Sequence, residues 1–504
     1  MKILKNIIIS ITLSSSLSYA LTLAQLQGMP KSVERDFYIW EYLKQFNTSK
    51  ADAIKAIKLV NRVNKKLSIA YNLKTGLHIR KWVKPASYIG NSKKYGMLIN
   101  RMKKSGDFYA QWLKLSRHDK LKVFALAGLY NRKELDKRFN QSLYNSLQKD
   151  KLINQVIFRA FRENLYNIQN SILSYPPIGG TKISYDNLFK LGFKSLKLGN
   201  RNSAFNFFNA ARYNAISRFY ADRAIFWAYM ATKSTKLLNR LAKSHDFNIY
   251  KLIALDMLNK PYPLPHKESL NKNASSNIDI TNPISWALLK QKIFSGRYNL
   301  YKLARRYNSV ASQAYYYYIL NKASKDTKQY FPMPYREYIS KYPVDRQALI
   351  YAIAKQESQF IPSAISSSFA VGMMQFMPFL VKHIAKVRGE SVTLEDMFKP
   401  EVAIRFANTH LNYLNKYLYH PLFVAYAYNA GIGYTRRLIR KNIFKSGAYE
   451  PYLSIEMVDN KQANHYGKKV LANYVIYKKL LGSPIKISSL LYLLDKPMLT
   501  DRFR

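Results

Sequence analysis

From about Leu21 to Asn321 apolar residues recur at helical spacing, broken by short polar stretches and few glycines. Between Asn202 and Ala231, Ala204, Phe208 and Ala211 stand at i, i+4 and i+7. After a break, Ala221, Ala224, Ile225 and Ala228 repeat the pattern. Small residues on such faces let two helices approach closely, as in stacked hairpins. Ser49 and Asp52 are placed to cap another helix, whose Ala53, Ala56, Ile57 and Val60 form one face. No fixed-period repeat runs through the region, so the pattern predicts an irregular helical solenoid rather than a regular array. Pro263, Pro265, Asn273 and Ser275-Ser276 mark a loop within 261–282, after which helical texture resumes at Ile284. Tyr315 to Tyr318 resemble a stacking platform, but at helical spacing they read as interhelix packing.

The texture changes between Tyr330 and Pro343. Phe331-Pro332-Met333-Pro334-Tyr335 cannot be helix interior, because proline lacks a donor and clashes with the preceding turn. A helix is predicted to open at Pro343-Val344-Asp345, with Asp345 as N-cap. Leu349 and Ile353 share one face of it, and Glu357 follows at the same interval. A carboxylate that continues a buried stripe is desolvated, which favours its neutral form and suits general acid catalysis near neutral pH. Taken alone, the position fits better a glutamate lying just past the core in water. Phe360-Ile361-Pro362 ends the helix. Gly372-Met373-Met374-Gln375-Phe376-Met377-Pro378 then combines a close backbone approach, an amide and an adaptable apolar wall. Further on, Ala427-Tyr428-Asn429-Ala430-Gly431 presents an aromatic and an amide from a small-residue turn.

Charge and composition narrow the setting. The chain of 504 residues carries a net charge of +52, a field that attracts polyanions. A codon bias towards Lys, Asn, Ile and Tyr supplies part of it. There is no cysteine, which excludes disulfides, thiolate metal sites, a cysteine nucleophile and a lipidated N-terminal cysteine. Lys2 and Lys5, the apolar run Ile7 to Leu17, and Ser18-Tyr19-Ala20 predict a cleaved secretory signal, with the mature chain starting near Leu21. That run is too short to span a bilayer and no later stretch is long enough, so no stable membrane insertion is expected. The eight histidines share no ligand spacing, and no metal or other cofactor is expected. In an exported protein the charge is not expected to read nucleic acid.

As an ordered set, Glu357-Ser358-x-Phe360-x-Pro362-x-Ala364-x-Ser366, then Gly372-Met373-Met374-Gln375-x-Met377-Pro378, then Ala427-Tyr428-Asn429-Ala430-Gly431 resembles the soluble lytic murein transglycosylases. The resemblance covers about Phe331 to Leu480, including the closing helix Tyr466 to Tyr477. It implies a mostly all-α protein, with an N-terminal superhelical solenoid or ring followed by a lysozyme-like catalytic domain. It further implies Glu357 as the sole catalytic carboxylate, and Ser366, Gln375 and Met377 lining a glycan groove. Tyr428 would approach the carboxylate, Asn429 would bind substrate, and Glu456 would be a further groove residue. Where the family usually shows Ile-Pro-Phe and Glu-Thr-Arg, this chain reads Val458-Asp459-Asn460 and Gln462-Ala463-Asn464.

The segments expected are a signal peptide (1–20), a helical domain (21–329), a linker (330–343), a catalytic domain (344–482) and a C-terminal tail (483–504). The expected reaction cleaves the β-1,4 bond between N-acetylmuramic acid and N-acetylglucosamine in periplasmic peptidoglycan, leaving 1,6-anhydromuramoyl ends. The partners expected are glycan strands and their stem peptides. Glycosidases generally use two carboxylates, about 5–5.5 or about 6.5–9.5 Å apart. No Asp or Glu falls between Ser358 and Gly389, although Glu456 can still be near in space. A hydrolytic muramidase and a non-catalytic peptidoglycan-binding scaffold stay open as alternatives.

Overall fold

A computed structural model describes residues 20–79, 92–271 and 278–504. The expected signal segment before Ala20 lies outside the described residues, as do Asn273 and Ser275-Ser276 of the expected loop. The described chain is helical, as expected, with only isolated β-bridges beside the helices. Among the described residues no helix is long and apolar enough to cross a membrane.

In chain order, the helices used below begin with α1 (Val33–Lys44), α2 (Lys50–Lys58) and α3 (Lys65–Thr75). There follow α4 (Tyr185–Lys197), α5 (Arg201–Tyr213), α6 (Arg218–Thr232), α7 (Ile249–Met257) and α8 (Pro283–Phe294). The last are α9 (Val344–Glu357), α10 (Pro378–Arg388), α11 (Pro421–Ala430), α12 (Tyr452–Glu456) and α13 (Lys461–Leu480). The chain divides into two compact units. One is drawn from within 1–81, 277–298 and 361–403, the other from within 82–276, 299–360 and 404–504.

In the first unit, α2 starts as its sequence dictates: the Ser49 side chain accepts from Asp52 N, and Ala53 and Ala56 are fully buried. Val60 lies beyond the helix end. An aromatic cluster forms the core, with Phe37 meeting Phe369 and Phe398 edge-on at 5.8 and 6.3 Å. Lys290 on α8 pairs with the buried Glu34 of α1 at 2.5 Å. The segment that leads into α10 is a tight turn, with Val371 and Phe376 exchanging backbone hydrogen bonds at 2.9 and 3.0 Å. Gly372 has φ +77°, and a Cβ there would stand 2.2 Å from Met397 O, so no side chain fits.

In the second unit, α4, α5 and α6 pack successively, each on the next, as in a helical solenoid. Their contact faces are the ones read from the sequence: Ala204, Phe208, Ala211 and Ala224 are all 0% exposed. Tyr315, Tyr316 and Tyr317 are buried, as interhelix packing requires, and Tyr317 OH donates to Glu268 O. The proline-rich lead-in is irregular, and side chains hold it. Lys355 Nζ donates to Tyr330 O at 2.6 Å and Tyr477 OH to Pro332 O at 3.0 Å.

α13 packs on both α9 and α11. Gly467 permits the second contact, since a Cβ there would meet the Tyr426 ring at 2.2 Å. One expectation fails. The N-cap of α9 is Pro343, which has no side-chain cap bond, and Asp345 sits inside the first turn. The carboxylate instead pairs with Lys478 and accepts from Tyr474 OH, both on α13, so an interhelix charge contact has displaced the local cap. Residues 483–504 add two short helices, and Arg504 is tied back to Asp501 and to Phe444 O.

Candidate functional site

A cleft of about 920 Å³ opens in the second unit, lined by α4 and α6, the end of α9, Asn429 at the end of α11, and α12 to α13. Glu357 is the last residue of α9 and lines it. Leu349 and Ile353, two turns and one turn earlier on the same face, are buried, while Glu357 is half-buried. The chain turns away sharply at once: Gln359 and Phe360 both have positive φ, 53° and 70°, although neither is glycine. Such strain persists only where the surroundings impose it. Here Asn321 Nδ2 donates to Gln359 Oε1, and Phe360 is packed at 1% exposure.

Burial pushes the Glu357 carboxyl up to about 7, against a smaller opposing pull from a hydrogen bond. That bond comes from Tyr466 OH on α13, which donates to Oε1 at 2.7 Å. Tyr428 on α11 is close enough for its phenol to feel the Glu357 charge. Asn429 lines the same cleft. The site therefore holds a carboxyl that is part protonated at neutral pH, fixed by a buried phenol and open to a cavity.

Glu456 also lines the cleft, but its oxygens are taken. Arg223 of α6 donates to Oε2 from Nε and Nη2 at 3.0 and 2.6 Å, and Lys468 of α13 reaches the same oxygen at 2.5 Å. Tyr250 OH and Trp227 Nε1 donate to Oε1 at 2.7 and 3.1 Å. Burial works to raise this carboxyl, but the Arg223 and Lys468 charges outweigh it and hold the group well below the carboxylate range. Asn464 Nδ2 donates to the carbonyls of Ile455, Glu456 and Val458. The guanidinium beside Glu456 is that of Arg223 on α6.

Ser366, Gln375 and Met377 lie in the first unit and shape its turn. Ser366 Oγ accepts from Ala370 N at 2.9 Å, and Gln375 Nε2 donates to Ala364 O and Gly372 O at 3.1 and 2.8 Å. Met377 is the half-buried N-cap of α10. Tyr466, Arg223, Lys468, Tyr250 and Trp227 were not singled out from the sequence. Tyr466 falls in the closing helix of the resemblance, yet nothing local marks its hydroxyl. Arg223 and Glu456 are 233 residues apart, and no periodicity links them. Among the described residues no group of three or more His, Cys, Asp or Glu could hold a metal ion.

A family model, the transglycosylase SLT domain, matches residues 333–450. Among curated proteins, the soluble lytic murein transglycosylase of Salmonella typhimurium is 26% identical over 279 residues, half of this chain and 41% of that protein. The Escherichia coli K12 protein of the same name is 24% identical over 276 residues, with the same coverage. A putative soluble lytic murein transglycosylase of Haemophilus influenzae is 43% identical over 86 residues, 16% of this chain and 14% of that one. The matches thus span about two fifths or less of the relatives' length. Of solved structures, the lytic transglycosylase Slt of Pseudomonas aeruginosa gives a TM-score of 0.46 at 17% identity, covering 90% of this chain and 74% of that one. The 70 kDa soluble lytic transglycosylase of Escherichia coli gives 0.48 at 15% identity, covering 94% and 84%. Residues 333–450 thus match the transglycosylase SLT domain, and half of the chain is similar to soluble lytic murein transglycosylases.

Proposed function

We propose that the protein is a lytic transglycosylase that cleaves the β-1,4 bond between N-acetylmuramic acid and N-acetylglucosamine in peptidoglycan. Glu357 is its acid and its base. The observation that carries this reading is the inequality of the carboxylates lining the cleft. Glu357 alone is pushed up to about 7, whereas Asp186, Glu456 and Asp459 are ion-paired and held below their ordinary values. A group titrating near neutrality can give a proton and take one back. A locked carboxylate such as Glu456 cannot serve as base for an attacking water.

The reaction follows from having one usable carboxyl. Glu357 protonates the bridging oxygen, and the bond from C1 of the muramic acid to that oxygen breaks. The Glu357 carboxylate then removes the proton from the C6 hydroxyl of the same sugar as its oxygen closes onto C1. No water enters, and the product is a 1,6-anhydromuramoyl end. Tyr428 and Asn429 are assigned to the substrate beside Glu357. Ser366, Gln375 and Met377 are assigned to the glycan on the resemblance, and Glu456 is assigned to holding the cleft rather than to chemistry. Lys2, Lys5 and Ser18-Tyr19-Ala20 support export to the periplasm through a signal at 1–20. Along the chain, the functional segments are a helical domain (21–329), a connector (330–343), the catalytic domain (344–482) and a C-terminal segment (483–504).

The mass of muropeptides released from purified sacculi tests the reading. Products lighter by one water than reducing-end muropeptides are expected. Reducing ends would make the protein a hydrolase, and binding without release would make it a scaffold. Tyr466→Phe supplies a second check. Since general acid catalysis needs Glu357 protonated in the free enzyme, kcat/KM is expected to fall as pH rises through about 7. The Tyr466 bond favours the carboxylate, so its loss should move that limb upward by roughly half a unit to one unit. A limb unmoved by the substitution would assign the titration to another group.

A further inference from the structure

Phe369, which follows directly on Ser366-Ser367-Ser368, has φ +59°, in the left-handed region that bulky side chains avoid. Such a conformation persists only where neighbours impose it. On the ring side the neighbour is α1: Phe369 is 1% exposed, its centroid 5.5 Å from that of Trp40 and 5.8 Å from that of Phe37. On the backbone side it is α3. Asn64 Nδ2 donates to Ser367 O at 2.9 Å, and Lys66 Nζ donates to Ser368 O at 2.6 Å. These pairs are 303 and 302 residues apart, yet all four residues lie in the first unit. Within the turn, Phe369 N donates to Ser366 O at 2.8 Å and Ser366 N to Ala370 O at 2.9 Å. Those bonds close the loop and leave the carbonyls of Ser367 and Ser368 to be met from outside. Ser366 itself is half-buried, and its Oγ accepts from Ala370 N and Ser368 N at 2.9 and 3.3 Å. Among the described residues its hydroxyl hydrogen has no acceptor, so the side chain is oriented while its one donor stays available.

We propose that Asn64 and Lys66 are positioning residues for the reaction: through the carbonyls of Ser367 and Ser368, they hold the turn in the shape in which Ser366 meets the glycan. The inference rests on the assignment of Ser366 to the glycan, and it extends the machinery to two residues far upstream that act only through the turn's backbone. Asn64 has two tasks. Its Oδ1 accepts from Leu67 N at 2.9 Å as the cap of α3, and that bond fixes the direction in which Nδ2 points at Ser367 O. Lys66 runs beside the Trp40 ring, with Nζ 5.9 Å from its centroid, so the indole that cages Phe369 also flanks the ammonium. The segment that carries the turn is therefore not self-contained. Residues 361–403 share a compact unit with the N-terminal helices, and the shape of Ser366's turn is set there. Both bonds are open to water, so each contributes modestly, and losing them slackens the turn without unfolding the chain.

The experiment is a double-mutant cycle in the full chain, read as KM and kcat on soluble glycan strands. Asn64→Ser keeps the cap of α3 but cannot reach Ser367 O, and Lys66→Met keeps the stem but not the donor. Together they should raise KM by roughly three- to tenfold with kcat held and the urea midpoint little changed. Ser366→Ala should raise KM in wild type and add far less in the Asn64→Ser/Lys66→Met background, where the hydroxyl is already misplaced. Replacing Lys66→Met by Lys66→Arg, which retains a donor, should restore part of the loss. An unchanged KM in the double variant, effects that multiply independently with Ser366→Ala, or a fall in kcat that tracks a lower urea midpoint overturns the positioning role and leaves the functional reading intact. A Ser366→Ala variant with the KM of wild type overturns the positioning role together with the assignment of Ser366. Absence of anhydro products from wild type overturns the functional reading itself, and this inference with it.

Discussion

Glu357→Gln is expected to lower the release of anhydro-muropeptides at least about a thousandfold while leaving sacculus binding unchanged. Glutamine keeps the shape of the side chain and can still accept from Tyr466 OH, but it can neither give the proton to the leaving oxygen nor take one from the C6 hydroxyl. Both halves of the proposed reaction fail together, which places the loss in kcat rather than KM. The same substitution should stabilise the fold, with a pH dependence whose sign is fixed. Burial raises the folded carboxyl to about 7 from its ordinary 4.5. Ionising it therefore costs more in the folded chain than in the unfolded one. That penalty is absent below about pH 4.5, grows between there and about pH 7, and is constant above. The neutral amide escapes it. At pH 8 the variant is expected to gain about 1–3 kcal/mol over wild type, and near pH 4.5 nothing, as read from urea midpoints at the two pH values. An inactive variant with no stability gain at pH 8 would mean that Glu357 is solvated in the native protein, and the argument for a raised acid would fall.

What the sequence disclosed about this site depended on distance along the chain. The stripe Leu349, Ile353, Glu357 is a property of one helix, and helical spacing aligned the carboxyl with a buried face, although that position alone fitted better a glutamate just past the core in water. The small-residue faces of α5 and α6 were legible for the same reason. Asp345 was misread because a capping rule is also local, and the rule could not see Lys478 and Tyr474 waiting on α13. Ser366 and Gln375 were picked out by motif. The structure gives their polar atoms an immediate task in bracing the turn around Gly372, a role that spacing could not separate from a sugar contact. Tyr466 and Arg223 were beyond reach. Each acts on a residue more than a hundred positions away, and a single sequence holds no signal for such a pairing.

Glu456→Ala is expected to destabilise the protein by about 3–5 kcal/mol, because it leaves Arg223 and Lys468 buried with no counter-charge. The side chains of Glu456 and Lys468 are 2% and 1% exposed, so water cannot replace the missing partner, and added salt should not rescue it. Glu456→Gln should cost less, since Tyr250 and Trp227 keep an acceptor, but the two cations still face a neutral group. Combining Glu456→Gln with Lys468→Met should recover part of the loss, giving a coupling energy of roughly 1–3 kcal/mol in a double-mutant cycle. Activity separates the structural role from a chemical one. If Glu456 only ties α12 to α6 and α13, the Gln variant at low temperature retains most of its kcat and still yields anhydro ends. If Glu456 is instead the base of a hydrolytic pair, kcat collapses at a temperature where the fold is intact. The single-carboxylate mechanism, with the sugar's own hydroxyl as nucleophile, requires the first result.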